Sequence, residues 1–223
     1  MVVTSTPASR RRMTRADRAT QLLEVAERLI ARRGVVATSM DDVAEAAGVT
    51  KPVVYDHFRS KDGLLCALIA RAGDELYHRT TAAVADPAGP RDALERGLRA
   101  YFSTLDRRDG VWWALLDATA AVSPATLSEL DRIRSRQADL VAGLIASEIS
   151  AEPERVLVYA HSIVGACERL AALRATRPTL SVDAVTGDLL ELLWSGFGEL
   201  ALGGRIAERA GNDPRPVSHA GSS

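Results

Sequence analysis

Apolar residues along this chain recur every three to four positions, and nowhere do they alternate with a period of two for long enough to make a strand. That periodicity admits a succession of helices and excludes a sheet. The clearest case follows Arg15: Leu22, Val25, Ala26, Leu29, Ile30 and Arg33 fall at i, i+3, i+4, i+7, i+8 and i+11, and the first five make one apolar stripe. Aromatics are only 4% of the chain while nearly half of it is hydrophobic, so a sizeable core must be built mostly of Ala, Leu, Val and Ile. That composition again favours helices over sheets. The expected fold class is all-α.

Punctuation divides the pattern. Gly34 is expected to end the first helix as a left-handed cap. Ser39 is a good N-cap, and Asp41 and Asp42 suit the positive end of a second helix over 40–47, with Val43, Ala44 and Ala47 inward. Gly48 stops that helix. Thr50 caps a third over 51–58, with Lys51 and Pro52 in its first turn, where proline is tolerated. Val54 and Phe58 share its inner face, leaving Lys51, Pro52, Val53, Tyr55, Asp56 and His57 largely outward. Ser60 opens a long helix with a stripe of Leu64, Leu65, Leu68, Ile69 and Ala72. After a Pro/Gly break at 86–90, helical stretches are expected at about 91–107, 111–121, 125–150, 153–175 and 183–203. The implied organisation is a disordered basic arm at 1–13, a small three-helix head at 14–63, a helical-bundle body at 64–205 and a flexible tail at 206–223.

Charge follows that division. Through Gly63 there are 11 basic and 8 acidic residues, a net of +3, and the remainder nets −4. A basic head on an acidic body suits a DNA-facing module on a part with another job. The chain has only two lysines, Lys51 and Lys61, against a large excess of Arg; a compact ammonium is the functional reading at both places, chance the bland one. No apolar run approaches the roughly 20 residues of a membrane span, and the polar start with Arg10, Arg11 and Arg12 is not a secretory signal. Cys66 and Cys167 match no metal spacing and read as thiols in a reducing cytoplasm. No Ser/His/Asp set in a nucleophile context, no Gly-rich phosphate loop and no metal motif appears, so neither an enzyme nor a cofactor is expected.

Two helices joined by a tight Gly turn, the second exposing its N-terminal residues, have the form of a helix-turn-helix. A helix fits the major groove of B-DNA, and its free N–H groups and dipole favour phosphate. The run Thr38-Ser39-Met40-Asp41-Asp42-Val43-Ala44-Glu45-Ala46-Ala47-Gly48-Val49-Thr50, followed by Lys51-Pro52-Val53-Val54-Tyr55-Asp56-His57-Phe58-Arg59-Ser60-Lys61-Asp62-Gly63-Leu64-Leu65, resembles the signature of the tetracycline-repressor (TetR) family of transcriptional regulators. The likeness covers roughly residues 20–65. It implies a homodimer with a DNA-binding head and an all-helical body in which a small molecule releases DNA, usually ending repression. Carried over, it assigns Lys51, Pro52 and Val53 to groove contacts, beside Thr50 at the helix start, and Tyr55 and His57 to the DNA backbone. Lys61 would hold a phosphate and help couple body to head, and Thr38, Ser39 and Met40 would approach the adjacent backbone. Asp56 departs from a comfortable DNA face: its carboxylate either accepts from a cytosine amino group or points away.

The body says less. Its last two helical stretches mix small residues (Gly165, Ala166, Ala171, Ala172, Gly187, Gly196 and Gly198) among apolar ones, and the resemblance places the dimer's four-helix bundle there. Tyr101, Phe102, Trp112, Trp113, Tyr159 and His161 are the candidates to line a pocket for an apolar or aromatic effector. Two readings stand beside the ligand-responsive repressor of a palindromic operator. One is an enzyme with an accessory helix-turn-helix. The other is a helical protein-interaction module whose head has lost sequence-specific DNA binding.

Overall fold

A computed structural model describes residues 13–106, 123–148, 151–177 and 179–195. Among them there are eight helices and no strand: α1 (Arg15–Arg33), α2 (Met40–Ala47), α3 (Lys51–Phe58), α4 (Lys61–Ala83), α5 (Pro90–Asp106), α6 (Pro124–Ala146), α7 (Pro153–Thr176) and α8 (182–195). The expected arm before Met13, the helix at 111–121 with Trp112 and Trp113, the last helix beyond 195 with Gly196 and Gly198, and the tail lie outside the described residues. The chain forms two compact units. The first is Met1–Ala72 with Asp109–Glu129, the second Gly73–Arg108 with Leu130–Ser223.

In the first unit, capping sets the helix ends. The Thr14 hydroxyl accepts from the Asp17 N–H, and the Asp17 carboxylate accepts in return from the Thr14 N–H. Ser39 and Asp42 repeat that box at α2, with bonds of 3.1 and 2.8 Å. After α2, the Val49 N–H reaches the Ala44 carbonyl at 3.0 Å and the Gly48 N–H reaches Glu45 at 3.1 Å, the Schellman pattern, with Gly48 left-handed at φ 66°, ψ 35°. Gly34 differs from expectation. Its φ of 79° is positive, but a ψ of 168° throws the chain outward rather than into a left-handed turn, a combination open essentially only to glycine. Leu22, Val25, Ala26 and Ile30 of α1, Met40, Val43 and Ala44 of α2, Val54 and Phe58 of α3, and Leu64, Leu65, Leu68 and Ile69 of α4 are buried and form the core.

The second unit is a helical bundle. Ala138 of α6 packs on Ala160 and Val164 of α7, small side chains that let two helices approach closely. Paired charges tie its elements. Arg174 of α7, only 10% exposed, grips both carboxylate oxygens of Asp106 in α5 at 2.6 and 2.8 Å. Arg134 of α6 holds Glu168 of α7 at 2.9 Å, and Arg136 bonds Asp74 of α4 at 2.6 Å while lying 3.7 Å over the Tyr77 ring.

Candidate functional site

The head presents α3 as its exposed helix. Thr50 occupies the N-cap position, yet its side chain makes no cap bond, so the hydroxyl is left available beside Lys51 and Pro52. Thr50, Lys51, Pro52, Tyr55 and Asp56 are exposed; Val53, His57 and Lys61 are half-buried. These side chains therefore share one accessible surface at the start and outer flank of α3. Thr38 and Met40 do not join it. Both are 4% exposed: the Thr38 hydroxyl donates to the Gly34 carbonyl at 2.9 Å, and Met40 is core. Ser39 is exposed, but its oxygen is engaged in the α2 cap.

Three cations of this surface carry partners. The Lys51 ammonium lies 2.9 Å from Asp41 and 5.7 Å from the Tyr55 ring centroid. The hydrogen bond to Asp41, more than its charge, holds the Lys51 pKa above the ordinary value. The Lys61 ammonium donates to the Val36 carbonyl at 3.1 Å and clasps the loop between α1 and α2 to the start of α4. Arg15 reaches from α1 to Asp56, meeting its carboxylate at 3.2 Å and its backbone carbonyl at 3.1 Å. Asp56 therefore does not stand as a bare negative charge. The Asp42 carboxyl is held below the ordinary range, first by the Ser39 hydroxyl and then by the Ser39 N–H.

The second unit contains a cavity of about 530 Å³, in the size range of small-molecule sites. Its wall is mostly aliphatic: Val84 beyond α4, Leu94 and Leu98 of α5, Leu140, Val141 and Leu144 of α6, and Ile163 and Val164 of α7 are among its lining residues. Of the aromatic candidates, Tyr101 lines it; Phe102 is fully buried in the core beside Tyr101, ring centroids 5.7 Å apart. Tyr159 and His161 are not among the described lining residues. Tyr159 is half-buried and accepts from the Arg155 guanidinium at 2.9 Å, and His161 is exposed on α7. Sequence reasoning passed over Gln137, Cys167 and Trp194, all of which line the cavity. Only Trp194 carried a signal, as an aromatic in the last helical stretch. Burial holds the phenol of Tyr101 well above its ordinary pKa and pushes the Cys167 thiol up to about 12, so both remain neutral. Among the described residues no group of His, Cys, Asp and Glu could hold a metal.

The helix-turn-helix geometry and the helical body agree with comparison to known proteins. Residues 22–68 match the profile described as bacterial regulatory proteins, tetR family, and 90–196 match the tetracyclin repressor-like C-terminal domain. The transcriptional activator FasR of Mycolicibacterium smegmatis is 28% identical over 193 residues, 86% of this chain and 88% of that protein. The transcriptional repressor KstR2 of Rhodococcus jostii is 32% identical over 92 residues, 41% of this chain and 45% of that protein. The crystal structure of a TetR-like transcriptional regulator from Rhodococcus sp. RHA1 superposes with a TM-score of 0.66 at 30% identity, covering 84% of this chain and 99% of that one. The chain belongs to the TetR family of DNA-binding transcriptional regulators, a non-enzymatic family.

Proposed function

We propose that this regulator is a cytoplasmic homodimer that represses from a roughly palindromic operator and lets go when a small apolar molecule enters the cavity of its body. The observation that carries the reading is the pairing of an exposed helix-turn-helix surface with an apolar cavity of about 530 Å³ in the same chain. The head would span about residues 14–63, and the body would follow from 64 to 205. Thr50, Lys51, Pro52 and Val53 stand where α3 would meet base edges, with Tyr55, His57 and Lys61 toward the phosphates. Thr38 and Met40 would approach a phosphate only through their backbone, since their side chains are buried. The relatives include both an activator and a repressor, so repression rests on the more usual behaviour of the family.

Dimerisation has its own support. α7 is long and apolar enough by composition to cross a membrane, yet only 33% of its most apolar stretch is buried. Leu157 and Val158 on α7 are 47% and 62% exposed, and Leu192 on α8 is 72% exposed. His161 and Gly165 of α7 and Gly187 of α8 are exposed beside them in sequence. An apolar surface that the fold leaves open is where a second copy would bury it. A twofold dimer would then read two half-sites, and an effector that favours the form whose heads mismatch them would lower affinity. A tenfold loss needs about 1.4 kcal/mol of differential binding.

The test is selection of bound DNA from a random pool by the purified chain at moderate salt. A palindromic motif is expected. Binding that is equal for all sequences would overturn the reading and favour a protein-interaction module.

A further inference from the structure

The polar groups of the cavity are few and unevenly placed. Gln137, Leu140, Val141 and Leu144 follow one another along a single face of α6, and Glu148 lies in the turn just beyond its end; all line the cavity. From Gln137 to Leu144 that stripe is roughly 10 Å long at 1.5 Å per residue. Between its ends the wall is aliphatic, so the space favours an elongated apolar body.

The inner end is not apolar. Gln137 is 4% exposed, and its Oε1 faces the Thr80 hydroxyl at 3.2 Å. Its Nε2 is buried without a hydrogen-bond partner. A buried amide donor left unfilled is costly, and native chains rarely keep one without a purpose. The single hydrogen of the Thr80 hydroxyl has three acceptors in reach, the Leu76 and Tyr77 carbonyls at 2.9 and 3.0 Å and the Gln137 Oε1, so Thr80 lacks none. Of the buried side-chain polar atoms left without a partner, at Thr81, Gln137 and Thr186, only that of Gln137 belongs to a described lining residue.

No Lys, Arg or His is among the described lining residues, and Glu148 is their one ionisable acid. The Tyr101 phenol and the Cys167 thiol are held neutral by burial. A carboxylate or phosphate drawn against these residues would lose its hydration and meet the Gln137 amide but no described cation to pair its charge.

We infer that the effector of this cavity is an uncharged, elongated, largely apolar molecule with one oxygen acceptor, such as an ester or ketone carbonyl, that takes the Nε2 donor of Gln137. This rests on the reading of the body as the effector-binding part. It adds the chemical class and the residue that selects it.

Three probes of equal chain length separate the terms: methyl laurate, laurate and dodecane, each competing with an uncharged fluorescent dye on the full-length purified protein at neutral pH. Methyl laurate should bind about fivefold or more tighter than dodecane, the gain expected of one buried hydrogen bond. It should bind at least about a hundredfold tighter than laurate, the cost of an unpaired buried charge. Gln137→Leu should bring the ester-to-hydrocarbon ratio close to one while leaving dodecane binding and the thermal midpoint at or above those of the parent chain. A merely structural Gln137 would move the midpoint and leave the ratio alone, which overturns the assignment. Laurate binding as tightly as its ester, or no binding by any of the three, overturns the ligand class. The assay contains no DNA, so these outcomes are independent of operator recognition. Ester binding that fails to release a selected operator would instead overturn the effector role proposed above and leave the assignment of Gln137 standing.

Discussion

Replacing Gly63 by alanine tests the junction that aims α3. Gly63 lies in the first turn of α4, and by helix propensity alone the change should stabilise the chain by up to about 1 kcal/mol. The geometry predicts the opposite sign. A Cβ at Gly63 would collide with the Phe58 carbonyl oxygen and sit 3.2 Å from its carbonyl carbon. That carbonyl is not free to retreat. It accepts the Ser60 N–H at 2.7 Å across Arg59, the one described non-glycine residue with positive φ, at φ 67° and ψ −42°. Those angles and the i→i+2 bond make a γ-turn of the rare, strained kind. Phe58 is 8% exposed and packs in the core of the head, so it anchors the carbonyl from the other side. To admit a methyl group the turn must open. It would lose the Ser60 bond and strain the Ser60 hydroxyl cap on the Gly63 N–H, which spans 3.0 Å. Two such bonds are worth about 1 kcal/mol each, and forced repacking about 1–3 kcal/mol more. Set against the gain in propensity and the relief of strain at Arg59, a net loss of about 2 kcal/mol is expected, or about 4–8 °C in Tm for a chain of this size. Thermal unfolding followed by circular dichroism reads it. Gly143→Ala in α6, where an added Cβ meets nothing within 4 Å, is the control and should raise Tm instead. A Gly63→Ala variant at or above the parent Tm would refute the steric argument.

Three further outcomes are expected. Leu192→Arg, at a site 72% exposed, should convert a dimer in sedimentation into a folded monomer and remove operator binding; an unchanged dimer would place the interface elsewhere. Lys61→Met should flatten the dependence of log affinity on log salt by about one unit for every DNA sequence, because two of its three donors remain for phosphate once Val36 takes one; an unaltered slope would leave Lys61 as a loop clasp only. The Asp42 carboxyl is depressed below the ordinary 3.8 by its bonds to Ser39, so its contribution is complete above that pH and is lost as pH falls through the lower, folded-state value. Asp42→Ala should therefore have a lower Tm than the parent at neutral pH, with the gap closing below pH 3.8, and a gap constant with pH would contradict this.

What could be read from the sequence was local. Ser39 with Asp42, Gly48 and Pro52 act within one turn of their own positions, and the bounds of α2 and α3 fell where those residues put them. The all-helical class followed from periodicity in the same way. What escaped depends on residues far apart. Asp56 looked awkward on a DNA face because its partner Arg15 lies 41 positions away. Arg59 carries no sign of positive φ, since the turn that imposes it is shared with the bare backbone of Gly63. Thr38 and Met40 flank an exposed Ser39, and only the packing of α2 shows that both turn inward. The cavity was the least legible. Tyr101 stood out as an aromatic, but the wall is made mostly of ordinary aliphatic residues from α5, α6 and α7, and nothing local distinguishes Gln137 from a surface glutamine.

The partnered charges of the head bear on how such a surface selects DNA. Phosphate attraction is the same for every sequence, so a face rich in bare cations binds everywhere. Here Lys51 rests on Asp41 and Arg15 on Asp56, all four side chains more than half exposed. A phosphate must displace a carboxylate before it can hold either cation. The exchange swaps one anion for another and gains little where the register is wrong. On the proposed docking, Pro52 and Val53 would meet matching base edges, and those groove contacts would add to that small electrostatic return and decide the outcome. Near-neutral net charge and a DNA-binding role are thus compatible: acids placed beside cations of the proposed contact face would weaken the indiscriminate part of binding and leave the sequence-reading part intact.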